Sequence, residues 1–183
     1  MKLVDGAYRT MIERLQSVNN PNFFLLSYDA LKLEVINFLV IPKHFFVREI
    51  IEKRKPLATT ARRAGWVGCN ILLQSIPAAG KIFYVKNRVV QPQKEVLSVW
   101  SKTLFLRKAE IVSERGWLLD VMLCVDRLGK KEFSLDEMYS FENYLSAKHP
   151  ANRHVRDKIR QQMQVLRDKG YLKFVSRGRY CAI

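Results

Sequence analysis

The residues best suited to contact a ligand lie between positions 153 and 164. If Ile159 is at the centre of a buried helix face, a step of about 100° per residue leaves six polar side chains on the opposite face. They are Arg153, His154, Asp157, Arg160, Gln161 and Gln164. Arg bonds bidentately to guanine and Gln to adenine in the major groove, which admits a helix. Although any exposed helix face is polar, acidic residues are scarce here, which favours DNA readout.

Further basic residues surround this face. Arg156 and Lys158 lie on the same helix, and a turn carrying Arg177 and Arg179 follows it. A basic hairpin at that place is suited to follow phosphate groups, which position a protein on DNA without specifying a sequence. We therefore include all four side chains among the predicted DNA contacts.

A second candidate site precedes Trp66. Residues 59–65 are small except for Arg62 and Arg63, so this loop brings its backbone close to a ligand with two positive charges beside it. The alternative is that Trp66 is a core residue at the start of a strand. The sequence leaves these two interpretations open.

Residues with the spacing of a catalytic or metal site are absent from the sequence. A metal-dependent nuclease typically has Asp or Glu, any residue, then Lys, but no Asp or Glu of this chain is followed two positions later by Lys. Cys69, Cys124 and Cys181 are far apart, and the three histidines share no ligand spacing with them. We assign no catalytic and no metal-binding residue.

Composition narrows the class of protein. The chain has 183 residues, a formal charge of +15 and 48% hydrophobic residues, which excludes a disordered polymer. Apolar stretches reach only about 8 residues, short of the roughly 20 that a membrane helix needs. With no signal peptide at the start, we expect a soluble, cytoplasmic protein that does not contact a membrane.

The positive charge is segregated along the chain. Residues 113–147 have 4 basic and 7 acidic side chains, whereas residues 148–183 have 10 basic and 2 acidic ones. Charge needed only for solubility would be mixed in sign. The segregation indicates a surface that faces a polyanion, with nucleic acid favoured over a merely solvated basic face.

Periodicity predicts an α/β domain with a mixed sheet over residues 1–112. The expected elements are a helix at 5–16, adjacent buried strands at 23–28 and 35–41, a polar connection at 43–63, strands at 66–73 and 81–86, and a helix from Pro92. Residues 113–183 predict three helices and a hairpin, the order of a winged helix. The Ser134–Glu137 capping box begins the second helix, Asn152 caps the third, and Gly129 and Gly170 follow the first and third.

Several long segments resemble the Dam-replacing, DpnI-type family of methyl-directed restriction endonucleases. The segments that carry the resemblance are 5–8, 19–24, 54–58, 61–66, 104–108, 113–117, 138–142 and 158–169. The resemblance implies a nuclease domain of the PD-(D/E)xK kind followed by a winged helix-turn-helix domain, both reading GATC with methylated adenine in double-stranded DNA. It also implies that Trp66 contacts the adenine methyl groups.

The chain also departs from this family. The family's catalytic Asp and Glu-x-Lys, which bind magnesium, and its four-cysteine zinc site fall in a segment that would precede Asp5. We therefore expect DNA binding without cleavage, no magnesium or zinc in this chain, and association through apolar surface near residues 23–28. The alternatives are an endonuclease that obtains its carboxylates elsewhere and a winged-helix regulator indifferent to methylation.

Overall fold

The computed structural model describes residues 2–17, 19–108 and 112–183, which contain both strands and helices. They form two units, Met1–Val99 and Trp100–Ile183. The domain boundary that the sequence places near residue 112 stays a prediction. Among the described helices, none has the length and apolarity that crossing a bilayer requires.

The described residues of the first unit form one complete α-helix and seven strands. Its elements are β1 (Lys2–Ala7), α1 (Tyr8–Gln16), β2 (Phe23–Asp29), β3 (Glu34–Ile41), β4 (Ile51–Lys53), β5 (Gly68–Leu72), β6 (Ile82–Lys86) and β7 (Val89–Val90), and α2 (Gln93–Lys102) begins in it. Short 3-10 helices occupy Lys43–Phe45, Arg48–Ile50, Leu73–Ser75 and Ala78–Gly80.

Two sheets organise these strands. One has the order β1-β5-β4 and the other the order β2-β3-β6-β7. Every described pairing is antiparallel, which confirms the α/β class but replaces the predicted mixed sheet with two antiparallel ones. Fully buried side chains of β3 and β5, such as Val40, Ile41 and Ile71, supply the core of the unit.

The start of the chain differs from its prediction. Residues 2–7 form β1, which pairs with β5 so that Leu3 lies opposite Ile71, and the helix begins only at Tyr8. The apolar period that predicts the helix starts at Tyr8, so the extension to Asp5 was unsupported by periodicity. Pairing with β5 stabilises the extended conformation, and such a long-range contact is invisible in a local pattern.

The strand β2 is only half buried, which contradicts the predicted buried strand. It lies at the edge of the four-stranded sheet, and alternate side chains on it, Phe24, Leu26 and Tyr28, are exposed. An edge strand with apolar side chains and free backbone groups favours pairing with another chain. The association expected from the sequence stays a prediction.

The predicted polar connection at 43–63 is wrong for its first half. Residues 43–53 form two 3-10 helices and β4, and they bury Phe45, Phe46, Val47, Ile50 and Ile51. Five of the seven Lys and Arg residues of this segment lie from Lys53 onward, and these five are exposed. Averaging over the whole segment obscured an apolar first part followed by a basic second part.

The second unit contains a winged helix. Its elements are a 3-10 helix at Leu104–Lys108, α3 (Val112–Leu128), β8 (Glu132–Ser134), α4 (Leu135–Tyr139), α5 (Glu142–Lys148), α6 (Val155–Asp168), β9 (Leu172–Ser176) and β10 (Arg179–Ala182). The strand β10 lies between β8 and β9 in a three-stranded antiparallel sheet. The predicted order of helices followed by a hairpin is confirmed, although the sequence did not predict β8.

The predicted second helix begins correctly but is broken. Ser134 and Glu137 form both hydrogen bonds of the capping box, as predicted. The Ser140 hydroxyl then donates to the Glu137 carbonyl at 2.6 Å, a local bond that competes with helix propagation. The chain therefore continues as a separate α5, with Met138 and Leu145 of the two helices buried.

Candidate nucleic-acid interface

Helix α6 is held by its apolar face and presents its polar face to solvent. Val155, Ile159, Met163 and Leu166 are buried, as predicted. All six side chains that the sequence places on the opposite face are exposed: Arg153, His154, Asp157, Arg160, Gln161 and Gln164. The helical period of 3.6 residues thus places side chains that can hydrogen-bond to base edges on one side of α6, while the other side packs in the core.

The start of α6 differs from the prediction. Asn152 does not cap the helix, which begins at Val155 after His154. Instead, the Asn152 Oδ1 atom accepts a hydrogen bond from the backbone N–H of His154 at 2.7 Å. This bond bends the connection that enters the helix, so Asn152 shapes the approach to α6 without satisfying its first-turn amides.

Three predicted DNA contacts of α6, Arg156, Lys158 and Gln161, form hydrogen bonds within the protein. Arg156 Nε donates to Glu142 Oε2 at 2.7 Å, and its guanidinium lies over the Tyr139 ring at 5.4 Å. The Glu142 carboxylate raises the pKa of Arg156 above its usual value. Lys158 Nζ donates to Gln161 Oε1 at 2.8 Å. Arg156 therefore ties α6 to the preceding helices, a role that the sequence did not indicate.

The turn between β9 and β10 carries the two predicted phosphate contacts. Arg177 and Arg179 are exposed, and Gly178 between them has φ +73°, a conformation that favours glycine. The Gly178 carbonyl accepts from the backbone N–H of Leu135 at 2.8 Å. This bond fixes the turn against the start of α4 and so limits where the two guanidinium groups can reach.

A buried charged cluster, Trp117, Asp120, Lys148 and His149, supports the helix that leads to α6. Asp120 is 6% exposed, bonds to Lys148 Nζ, and lies 2.8 Å from His149 Nε2. The His149 ring stacks on the Trp117 ring with centroids 4.0 Å apart. Burial disfavours the charge of Lys148, but Asp120 more than compensates, so the pKa of Lys148 lies above its usual value.

Sequence analysis missed this buried charged cluster. The available signal was an acidic residue inside an apolar stripe, because Asp120 follows Trp117 by three positions and precedes Cys124 by four. A carboxylate at such a position must be paired when it is buried. Its partner was not predictable, since Lys148 and His149 lie on another helix far along the chain.

The second predicted site lies in the first unit and is a loop fixed by its own backbone. Trp66 N–H donates to the Arg63 carbonyl at 3.0 Å, the Trp66 carbonyl accepts from Leu57, and Gly65 has φ +78°. Arg62 and Arg63 are exposed on this loop. The loop is therefore a defined turn that presents two positive charges.

The Trp66 side chain is partly exposed and lies against β5. A Cβ atom built on Gly68 would lie 2.8 Å from both Cη2 and Cζ3 of the indole. Only glycine allows so close an approach of a ring to the strand. Trp66 precedes β5 instead of beginning it, and it is neither fully buried nor fully exposed. The ligand contact that the sequence suggests for Trp66 stays a prediction.

The side chains that most often bind metals are dispersed. Within residues 2–17, 19–108 and 112–183, no group of three His, Cys, Asp or Glu side chains is placed to hold an ion. Cys69 and Cys124 are buried, and burial raises the pKa of Cys124 to about 12. The described residues thus do not fit the magnesium or zinc that the family resemblance implies.

The helices α3 to α6, the three-stranded sheet and the exposed basic face of α6 define the class of winged helix-turn-helix DNA-binding proteins. Comparison with family models agrees. Residues 1–109 match the model of the Dam-replacing family, and residues 113–182 match that of the Dam-replacing helix-turn-helix domain. The chain belongs to the Dam-replacing family, and its helix-turn-helix domain makes double-stranded DNA its partner in a restriction system.

Proposed function

We propose that the protein binds double-stranded DNA at GATC sites whose adenine is methylated. The observation that carries this proposal is the exposed face of α6, where Arg160, Gln161 and Gln164 lie opposite the buried residues of the same helix. Arg suits guanine and Gln suits adenine, and both bases occur in GATC. The helix enters the major groove with these side chains toward the base edges.

The remaining basic side chains position the protein on the duplex. Arg177 and Arg179 on the hairpin turn contact phosphates, as do Arg62 and Arg63 on the loop of the first unit. Arg153 and His154 are exposed at the start of α6 and lie where a helix N-terminus attracts phosphate. Such contacts supply affinity that depends on salt but not on sequence.

Methyl recognition belongs to Trp66 in this proposal. An adenine methyl group is apolar, so an indole that displaces water from it gains about 0.8 kcal/mol per methyl group. Trp66 is partly exposed and lies on the same loop as the exposed Arg62 and Arg63, which supports this role. The role rests otherwise on the family resemblance at residues 61–66.

The proposal includes binding without cleavage. Hydrolysis of a phosphodiester by a metal-dependent nuclease requires carboxylates that hold the metal at the scissile phosphate. No Asp or Glu of this chain precedes a Lys by two positions. The residues named above bind and orient DNA, and none of them is assigned a step in hydrolysis.

Equilibrium binding to three duplexes of equal length tests the proposal. They contain methylated GATC, unmethylated GATC, and the same bases in shuffled order with methylated adenine. We expect the tightest binding to methylated GATC and uncut strands after incubation with magnesium. Gln161→Ala should cost about 1–3 kcal/mol on the cognate duplex only, whereas the control Arg179→Ala, at a proposed phosphate contact, should weaken binding to all three duplexes alike. Equal affinity for all three duplexes contradicts the proposal.

A winged-helix regulator indifferent to methylation is the second candidate. The observation that favours it is that α6 and the hairpin lie together in the second unit, so groove reading needs no residue of the first unit. In that case the methylated and unmethylated GATC duplexes bind equally, and only the shuffled duplex binds more weakly.

A further inference from the structure

Phe174 is an exposed aromatic residue in the hairpin of the second unit. It lies two positions after buried Leu172 on β9, so the two side chains share the face of the sheet that packs on the helices. Its ring meets the Tyr180 ring edge-on at 6.1 Å, and Tyr180 stacks on fully buried Phe133 at 6.3 Å. This row of three rings ends at Phe174, which is 47% exposed.

The surroundings of Phe174 are basic. Residues 169–183 contain four basic side chains, Lys169, Lys173, Arg177 and Arg179, and no acidic one. The side chain of phenylalanine has no atom that forms hydrogen bonds with water, so leaving about half of it exposed is unfavourable. An apolar ring inside a basic surface is complementary to a polyanion that also offers apolar groups, and duplex DNA does so through its deoxyribose carbons.

We propose that Phe174 contacts DNA directly, by packing on deoxyribose while the neighbouring Arg177 binds a phosphate. The proposal rests on DNA binding by α6 and the hairpin, and it adds an apolar contact to a surface otherwise made of charged and amide groups. Every nucleotide carries the same sugar, so the contact raises affinity for any duplex without favouring a sequence. Because no counterion is released, its strength does not depend on salt.

Three variants of neighbouring positions test the contact. Phe174→Gln keeps a side chain of similar length but makes it polar, and Phe174→Leu keeps it apolar. Val175→Gln is the matched control, because Val175 is also 47% exposed but lies outside the row of rings, at the bulge where the register of β9 against β10 shifts. Thermal unfolding of each variant verifies that the sheet is intact.

Phe174→Gln should raise the Kd for every duplex about five- to tenfold and leave the slope of log affinity against log salt unchanged. Phe174→Leu and Val175→Gln should change the Kd by about twofold or less. Equal losses in Phe174→Gln and Val175→Gln, or no loss in Phe174→Gln, overturn the contact. If the wild-type protein binds no duplex, the proposed function itself is wrong. This outcome is distinguishable from a failure of the Phe174 contact alone, in which the wild type still binds DNA.

Hydroxyl-radical footprinting of the wild-type protein gives a second test that does not depend on how the variants fold. Bound DNA should suppress oxidation of Phe174 while oxidation of Val175 stays unchanged. Undiminished oxidation of Phe174 in the DNA complex overturns the proposal, whatever the variants show.

Discussion

The two candidate DNA surfaces are built in opposite ways. In the second unit, a regular helix presents Arg160, Gln161 and Gln164 because its other face is packed in a core. In the first unit, a loop presents Arg62 and Trp66 because backbone hydrogen bonds and a close approach to Gly68 fix it. A surface on a helix inherits its geometry from packing, so damage to the core displaces it. A surface on a loop depends on a few local contacts and is lost when one of them changes.

The largest effect is expected at Asp120, the buried carboxylate behind the winged-helix surface. Asp120→Ala leaves the largely buried Lys148 without its counter-charge, which should lower the free energy of unfolding by about 3 kcal/mol. Urea denaturation measures the loss. Asp168→Ala is the control, because its ion pair with Arg167 is exposed and worth about 0–1 kcal/mol. Equal losses in the two variants would show that the buried cluster stabilises the fold no more than an exposed ion pair does.

A smaller and more specific effect is expected at Gly68. Gly68→Ala places a Cβ atom where the Trp66 ring lies, so the ring must move. We expect the preference for methylated GATC to fall about tenfold, which corresponds to the apolar contact with two methyl groups. Competition binding with the methylated and unmethylated duplexes measures this preference.

Two controls accompany this variant. Gly6→Ala lies in the same sheet, where an added Cβ atom meets nothing within 4 Å, and it should leave the preference unchanged. In a Trp66→Ala background, Gly68→Ala should have no further effect, since the two residues then share one contact. If Gly68→Ala lowered the methyl preference by the same factor in the Trp66→Ala background, Gly68 would act independently of Trp66.

The arginines of the hairpin turn should act on salt dependence. Arg177→Ala and Arg179→Ala should weaken binding to all duplexes alike, and each lost phosphate contact should lower the slope of log affinity against log salt by about 0.9. Titrations at several salt concentrations measure the slope. An altered preference for methylated GATC would mean that the hairpin also reads the site.

The smallest effect concerns the capping box of α4. Lys130 and the backbone N–H of Ser134 lower the pKa of Glu137 from 4.5 to about 2. A lowered pKa in the folded state stabilises the fold above pH 4.5, and this contribution is lost as the pH falls toward about 2. Acid titration of stability should therefore show a steeper decline for the wild type than for Glu137→Gln. If the stability of the wild type and of Glu137→Gln fell in parallel with pH, the Glu137 carboxylate would not contribute to the pH dependence of stability.

Residues in regular elements were predictable, and residues in long-range contacts were not. The period of α6 gives its exposed and buried sides correctly because helix geometry alone fixes them. The strand β1, the apolar segment 43–53 and the pairing of Asp120 with Lys148 depend on partners distant in sequence. The role of Gly68 was not predictable either, although its partner Trp66 is only two residues away. The orientation of the Trp66 ring, which the sequence does not give, is what makes glycine necessary at position 68.

The central claim is that the loop of the first unit reads the methyl groups while the winged helix reads the sequence. Competition between methylated and unmethylated GATC duplexes for wild type and Trp66→Ala tests it most directly. We expect Trp66→Ala to reduce the preference for the methylated duplex about tenfold, with the salt slope and the discrimination against shuffled sequence unchanged. A folded Trp66→Ala protein that retains the full methyl preference would contradict the claim and assign methyl recognition to the winged helix.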